Sequence, residues 1–138
     1  MNISEALKEL FKQNIFCSTE NIYLKDSIGR TLSKPLTINK SIPEFDTSSM
    51  DGFAVKKSSL GKIDRFTILG EVPAGARSNY TINKPHQCVR VYTGSRMPKN
   101  ANFVVIQENT WTEGNFMHVN YFDKKSPYVR KTGFDFKR

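Results

Sequence analysis

The sequence contains few of the residues that build metal centres or disulfide frameworks. Only two cysteines and two histidines occur among its 138 residues. Cys17 and Cys88 are far apart and belong to no CxxC motif, and His86 and His118 add no metal-binding spacing. Structural zinc sites and small disulfide-rich domains need more cysteine and histidine ligands than this. We therefore predict buried, reduced thiols, and histidines that are exposed or hydrogen-bonded.

Long apolar segments are also missing. No run approaches the ~18 apolar residues that a membrane span requires, and the mean hydropathy is −0.50. The N-terminal stretch MNISEALKELFKQ has charged residues where a signal peptide has its apolar stretch. These features predict a mature, cytoplasmic chain that does not associate with a membrane.

Acidic residues are in the minority, with 13 Asp and Glu against 21 Lys and Arg, which gives a net charge of +8. The basic residues are scattered, and the only dense stretch is residues 124–138. No RNA-recognition, zinc-finger or GxxG pattern accompanies them. We therefore expect a solvated basic surface and no nucleic-acid partner. A basic β-rich module that binds nucleic acid is kept as an alternative.

The N-terminus shows the pattern of an amphipathic helix. Asn2, followed three residues later by Glu5, is typical of a capping box. Apolar residues then recur at helical spacing along one stripe, at Ile3, Ala6, Leu7, Leu10 and Phe11. The sequence therefore predicts one helix at the start of the chain.

Beyond this segment the texture is mostly that of β-strands. "NIYLKDSIGR" alternates weakly before a predicted turn at residues 26–29, and Pro35 predicts an edge strand or a break. Strands are predicted in "DRFTILGEV", where the strand ends at Gly70, in "CVRVYTG", in "ANFVVIQENTW", which crosses the interior, and in "NFMHVNYF", which a turn at residues 112–115 introduces. One helix followed by short, irregularly spaced strands fits neither a regular sandwich nor a βαβ array.

Four polar clusters could carry chemistry, and each also has an ordinary structural explanation. In "IPEFDTSSMDGFAV", Glu44, Asp46 and Asp51 could hold a cation or orient a water, but loop carboxylates more often cap turns, and Asp-Gly is also a strong hairpin signal. In "VYTGSRMP", the turn that follows a strand could receive an anion. "VIQENT" ends a predicted buried strand, and "YVRKTGFD" could bind a phosphate or simply be a solvated basic tail.

The order of these blocks is more informative than any one of them. Taken together, "GRTLSKPLTINKSIPEFDTSSMDGFAV", "GEVPAGA", "VRVYTGSRMPKNANFVVIQENT" and "VRKTGFD" closely resemble the N-terminal region of molybdopterin molybdenumtransferase, the MoeA and gephyrin E-domain family. The resemblance covers most of residues 28–135. Three departures stand in the last block, where the family pattern is RRRGED: Lys131 replaces an arginine but keeps its charge, Thr132 replaces an arginine, and Phe134 replaces a carboxylate.

The resemblance implies a mainly β, complex fold of bifurcated and coiled sheets with peripheral helices and two lobes. Residues 1–50 together with 124–138 would form an elongated, dimer-forming lobe, and residues 51–123 a compact β-rich lobe. Family members continue with a pterin-binding α/β domain and a small β domain, and neither is expected within these 138 residues. The chain is therefore interpreted as an N-terminal piece that is inactive alone.

The resemblance also implies an activity, which is insertion of molybdate into adenylylated molybdopterin to give molybdenum cofactor and AMP, with Mg²⁺ as cofactor and a homodimer as the assembly. A non-catalytic dimerisation or interaction module is a further alternative. Asp51 and Thr93 would lie close together in one cleft, where Thr93 would hydrogen-bond an anionic oxygen, and Arg130 would offset charge. The implied site residues are Asp51, Thr93 and Asp135 as catalytic, Ser95, Arg130 and Lys131 as substrate-binding, and Asp51 and Asp135 as metal ligands.

Overall fold

The computed structural model describes residues 2–13 and 17–138. Backbone contacts divide the chain into two compact units, Met1–Thr37 and Ile38–Arg138. The family resemblance predicts a different division, into one lobe of residues 1–50 with 124–138 and another of residues 51–123. This division remains a prediction. Within the described residues, no helix is both long and apolar enough to cross a membrane.

The first unit contains the predicted helix, α1, at Ile3–Lys12. The capping box is confirmed, because the Asn2 side chain accepts from the Glu5 N–H at 2.9 Å and the Glu5 carboxylate accepts from the Asn2 N–H at 2.8 Å. These bonds satisfy N–H groups that the first helical turn leaves without partners. No residue of α1 is buried, so its apolar stripe faces away from any core of this unit.

The remainder of the first unit is irregular. The weak alternation around residue 24 does not give a strand, and Leu24–Asp26 is instead one turn of 3₁₀ helix. Pro35 lies in no strand, so it interrupts the regular structure and is not part of an edge strand. Cys17 is exposed, which corrects the prediction that both thiols are buried, whereas Cys88 is buried in the second unit. Burial raises the pKa of the Cys88 thiol to about 12, so this thiol is held in its neutral form.

The second unit is built from eight strands in two sheets. The strands are β1 (Thr47–Ser48), β2 (Gly52–Val55), β3 (Arg65–Val72), β4 (Gln87–Val91), β5 (Phe103–Ile106), β6 (Thr110–Glu113), β7 (Phe116–Val119) and β8 (Val129–Arg130). β1 and β8 form a two-stranded sheet, and the other six strands form one sheet in the order β5-β2-β4-β3-β7-β6. Only β3 and β4 pair in parallel; the other strand pairs are antiparallel.

Both faces of β2 and of its neighbour β5 are buried, which explains their continuous apolar runs. Along β2, Phe53 and Val55 pack into one hydrophobic cluster, while Ala54 packs into a second cluster. β5 alternates in the same way, with Phe103 in the first cluster and Val104 in the second. Successive side chains of a strand point to opposite faces, so the two clusters lie on opposite faces of the sheet. The strand predicted to cross the interior, in "ANFVVIQENTW", is confirmed as the buried strand β5.

The boundaries of other strands differ from the predictions. β3 continues through Gly70 to Val72, and its pairing with β4 shifts register between Ile68 and Glu71. An irregularity of this kind lets a strand pass a glycine without ending. The predicted turn at residues 112–115 is tighter, because β6 runs to Glu113 before the chain reverses into β7.

Asp51 and Gly52 do not make the hairpin that their sequence suggests. Residues 49–51 form a bend, but the flanking strands do not pair with each other, because β1 pairs with β8 while β2 pairs with β4 and β5. Gly52 does not have a positive φ. A Cβ at this position would lie 2.1 Å from the Val105 carbonyl oxygen. The glycine is therefore required for close approach of β2 to β5.

Candidate active site

Asp51 and Thr93 lie 42 residues apart in sequence and are in direct contact. The Asp51 Oδ1 atom accepts a hydrogen bond from the Thr93 backbone N–H at 2.8 Å and another from the Thr93 hydroxyl at 2.9 Å. The prediction that these two residues lie close together is confirmed. A threonine hydroxyl has a single proton to donate, and here that proton is directed at Asp51.

Two neighbouring strands hold this pair in place. β2 begins directly after Asp51, and β4 ends two residues before Thr93, with Gly52 opposite Val91 in the register. On the other side, the Asp51 carbonyl accepts from the Gln107 N–H at 3.0 Å, where β5 has just ended. The buried strands therefore bring one end of β2, β4 and β5 together, and Asp51 is located at that end.

The Asp51 carboxylate is ionised at neutral pH. The Thr93 N–H and then the Thr93 hydroxyl lower the pKa of Asp51 below its ordinary value of 3.8, and the nearby positive charge of Arg90 acts in the same direction. These effects outweigh the smaller opposing effect of desolvation. An accessible, positioned negative charge at a strand end can bind a cation or orient a water.

This end of β4 is surrounded by three further polar side chains, those of Glu71, Arg90 and Tyr92. None of them is among the site residues that the resemblance implies. The Tyr92 hydroxyl donates to the Glu71 carboxylate at 2.8 Å, and this bond raises the pKa of Tyr92. The Arg90 guanidinium lies 5.4 Å from the centre of the Tyr92 ring. A signal was present in the sequence, because the alternation of "VRVY" places Arg90 and Tyr92 on the face opposite to the valines.

Ser95 follows the same turn but is fully buried, with 0% of its surface exposed. Its hydroxyl donates to the Val72 carbonyl at 2.6 Å and accepts from the Tyr92 N–H at 2.9 Å. Both bonds stabilise the turn, and the side chain has no route to a ligand in this conformation. We therefore assign Ser95 to the support of the turn and do not carry it into the proposed site as a substrate-binding residue.

The remaining predicted site residues, Arg130, Lys131 and Asp135, lie near the end of the chain and are paired with charges. Arg130 forms an ion pair with Asp135 and lies 5.3 Å from the centre of the Phe134 ring. The Lys131 ammonium lies 2.7 Å from the Asp46 carboxylate. Phe134, which departs from the family pattern, therefore makes a cation–π contact with Arg130. The two cations are partly neutralised by carboxylates of this chain.

β1 lies between the C-terminal tail, residues 130–135, and the turn at Thr93. On one side, Thr47 pairs with Arg130 of β8. On the other side, the Ser48 N–H donates to the Ser95 carbonyl and the Gly94 N–H donates to the Ser48 carbonyl, both at 2.9 Å. Neighbouring strands lie about 4.8 Å apart, so the tail and the turn are about 10 Å apart across β1. The fold thus places the tail and the Asp51–Thr93 pair on two sides of one short strand.

A metal ion bound here would have few protein ligands. Among the residues that the structure describes, no group of three or more His, Cys, Asp or Glu side chains is arranged to hold one. Mg²⁺ usually keeps several waters and is held by one or two carboxylates together with substrate phosphates. Asp51 and Asp135 are single carboxylates on two sides of β1, so each would fit Mg²⁺ only as an ion shared with a bound phosphate.

Comparison with known proteins identifies the family. The sequence matches the family described as the MoeA N-terminal region, domains I and II, over residues 1–138. The chain belongs to this family. It is 33% identical over 116 residues to the molybdopterin molybdenumtransferase of Staphylococcus epidermidis, an alignment covering 80% of this chain and 27% of that protein. It is 32% identical over 142 residues to the molybdopterin molybdenumtransferase of Bacillus subtilis, covering 96% of this chain and 33% of that protein.

The fold agrees with this family membership. The crystal structure of the molybdopterin biosynthesis MoeA protein from Pyrococcus horikoshii OT3 superposes with a TM-score of 0.78 at 30% sequence identity. The superposition covers 98% of this chain and 37% of the Pyrococcus chain. The mainly β MoeA fold, with curled sheets and one described α-helix, is confirmed. The chain spans about a third of the length of these relatives.

Proposed function

We propose that this chain is the N-terminal part of an enzyme that inserts molybdate into adenylylated molybdopterin and releases AMP. The observation that carries the proposal is the ionised Asp51 carboxylate, which Thr93 holds at the common end of three buried strands. Membership of the MoeA N-terminal family and relatives named molybdopterin molybdenumtransferase support the same activity. The substrates of the whole protein and its Mg²⁺ requirement belong to this proposal.

The contacts suggest a division of roles between the residues. Asp51 is the catalytic group, and its negative charge positions a water or a cation beside the phosphoanhydride. Because the Thr93 hydroxyl donates to Asp51, we assign Thr93 to orienting that carboxylate in place of the anionic-oxygen contact expected from the sequence. Arg130 and Lys131 supply positive charge near the anionic substrate, and Asp135 holds Arg130.

Asp51 and Asp135 would each offer Mg²⁺ one carboxylate ligand, on the two sides of β1. Carboxylate oxygens are ligands that Mg²⁺ prefers. When bound, the ion would neutralise charge on the phosphate oxygens of the adenylyl group. The protein's own contribution is to direct both carboxylates, through the Thr93 bonds to Asp51 and the Arg130 pair with Asp135.

The direct test compares the whole protein that carries this chain with the 138-residue chain alone. Each is expressed in a bacterium that lacks its own molybdopterin molybdenumtransferase, and molybdenum cofactor is then measured in extracts. We expect the whole protein to restore cofactor. We expect the chain alone to restore none, because it spans about a third of its enzymatic relatives. Failure of the whole protein, expressed in folded form, would contradict the proposed activity.

The same family assignment leads us to propose a homodimer, with the apolar stripe of α1 at the subunit contact. The stripe side chains are exposed in this chain, with 81% exposure for Ile3, 65% for Leu10 and 84% for Phe11. Single exposed apolar residues are common, but an aligned stripe on one helix is not. A second copy of the chain offers the same stripe, as a two-fold interface requires.

The dimer is tested by placing the same charge on the two faces of α1. We expect the unmodified chain to have twice the monomer mass of 15.8 kDa in light scattering after gel filtration. Leu10→Glu should give the monomer mass, because it places a charge in the apolar contact. Lys8→Glu introduces the same residue outside the stripe and should stay dimeric. Equal masses for the two variants would show that the stripe is not the contact.

A further inference from the structure

Asp46 belongs to none of the site residues selected from the sequence, yet it makes the largest number of long-range side-chain contacts near the tail. Its carboxylate accepts from the Thr132 N–H at 3.0 Å and from the Thr132 hydroxyl at 3.3 Å, and it pairs with the Lys131 ammonium at 2.7 Å. Its backbone carbonyl accepts from the Met97 N–H at 2.9 Å. One residue is therefore bonded both to the tail and to the segment that follows Thr93.

The backbone contacts that hold the tail are short and scattered. β1 and β8 pair over only two residues each. The tail loop adds bonds from the Gly133 N–H to the Pro43 carbonyl and from the Asp135 N–H to the Ile42 carbonyl, both at 2.9 Å, and Ile42 and Phe136 exchange two backbone bonds at 2.8 and 3.2 Å. Strand pairs this short are marginal in isolation. Charge-assisted side-chain bonds are the stronger contribution at such a place.

We propose that Asp46 is a positioning residue, which holds residues 130–135 beside β1 and so fixes Arg130 and Asp135 relative to the Asp51–Thr93 pair. Its effect on catalysis rests on the proposed function; its effect on the tail does not. Thr132 is part of this arrangement, because its hydroxyl and its N–H both bind the Asp46 carboxylate. An arginine, as in the family pattern, would bring the charge but not this short hydroxyl.

The charge state of Asp46 is consistent with this role. Burial by itself raises the pKa of Asp46, but the bonds from Lys131 and Thr132 outweigh it and hold the pKa below the ordinary 3.8. A carboxyl group whose pKa is lowered by folding stabilises the folded state above its unfolded pKa. The contribution is lost as the pH falls from 3.8 through the lower folded value. At neutral pH the Asp46 contacts are therefore fully formed.

Asp123 provides a matched control. Like Asp46, it accepts from a backbone N–H and from a hydroxyl, those of Lys125 at 2.9 Å and Ser126 at 2.7 Å. Its pKa is lowered by these bonds too. All its bonds are local, spanning two or three residues, whereas those of Asp46 span 85 and 86 residues. Removal of either carboxylate takes away similar bonds, but only Asp46→Ala frees the tail.

The test measures amide hydrogen exchange in the 138-residue chain at neutral pH. In Asp46→Ala we expect exchange about tenfold faster or more at Thr132, Gly133 and Asp135, since a hydrogen bond to a charged group is lost. The Thr93 amide, which is bonded to Asp51, should keep the exchange rate of the unmodified chain. Asp123→Ala should accelerate exchange only around residues 125–126. Asp46→Asn, which keeps an oxygen for the Thr132 N–H, should restore part of the protection.

A second measurement in the whole protein connects the tail to catalysis. AMP release should fall about tenfold in Asp46→Ala and stay unchanged in Asp123→Ala, with equal melting temperatures for the two variants. Unchanged exchange at the tail amides of Asp46→Ala, or of Asp46→Asn if the alanine variant does not fold, overturns the proposal. Faster tail exchange with unaltered AMP release overturns its catalytic part. If the unmodified whole protein releases no AMP, the proposed function fails, and the exchange result still decides whether Asp46 holds the tail.

Discussion

Replacing Gly52 by alanine should destabilise the second unit by about 3 kcal/mol or more, the upper range for overpacking a well-packed core. The added Cβ would lie 2.1 Å from the Val105 carbonyl oxygen and 2.9 Å from the Ile106 Cα. Both are backbone atoms of β5, and four consecutive residue pairs fix the register between β2 and β5. The strands must separate to admit the methyl group, and the buried side chains on both faces then lose contact.

Gly75→Ala separates this effect from the general cost of removing a glycine. Gly75 has φ +78° and nothing within 4 Å of a Cβ at its position. The left-handed conformation costs an alanine roughly 1–2 kcal/mol, without any steric clash. Urea unfolding with unchanged m-value should therefore give a much larger loss for Gly52→Ala than for Gly75→Ala. Similar losses for the two variants would contradict the close-packing role of Gly52.

Local patterns were enough to predict the elements whose side chains follow one strong period. The stripe and capping box of α1 and the apolar run of β5 are of this kind, and both are confirmed. The Asp51–Gly52 pair shows the limit of such patterns. Its hairpin signal comes from tolerance of positive φ, whereas here the glycine is needed for a contact with β5, a strand much later in the sequence. No local pattern contains that information.

The candidate site was predictable only in part for the same reason. The order of the sequence blocks pointed to Asp51 and Thr93, which the structure joins by two hydrogen bonds. Asp46 belongs to the first polar cluster, but no local pattern distinguishes it from Glu44, because its partners lie 85 and 86 residues away. Ser95 was selected from its place in the turn, but the direction of its side chain depends on packing against β3. Tertiary contacts decide which polar residues of a turn reach solvent.

Asp51→Asn should reduce AMP release by the whole protein by ~10²-fold or more, the range expected for a positioned acid–base group. The asparagine oxygen can still accept from the Thr93 N–H and hydroxyl, so the turn is retained. What is lost is the negative charge, which the Thr93 bonds and Arg90 stabilise in the native protein. Positioning of a cation or a water by electrostatic attraction depends on that charge.

The structural cost of this substitution should be small. Asp51 is partly exposed, and substitutions at such positions usually change stability by roughly ±0.5 kcal/mol. We therefore expect the melting temperature to change by no more than a few degrees, in agreement with the relation between free energy and melting temperature for domains of this size. A large loss of stability would indicate that Asp51 is mainly a structural residue of the bend.

The decisive measurement is the rate of AMP release by three forms of the whole protein: unmodified, Asp51→Asn and Asp123→Asn. Asp123 also accepts from a backbone N–H and a hydroxyl, so its substitution repeats the structural change away from the proposed site. We predict that Asp123→Asn releases AMP at the unmodified rate and that Asp51→Asn is slower by about two orders of magnitude. Equal rates for Asp51→Asn and Asp123→Asn, with normal melting of both, would contradict a catalytic role for Asp51.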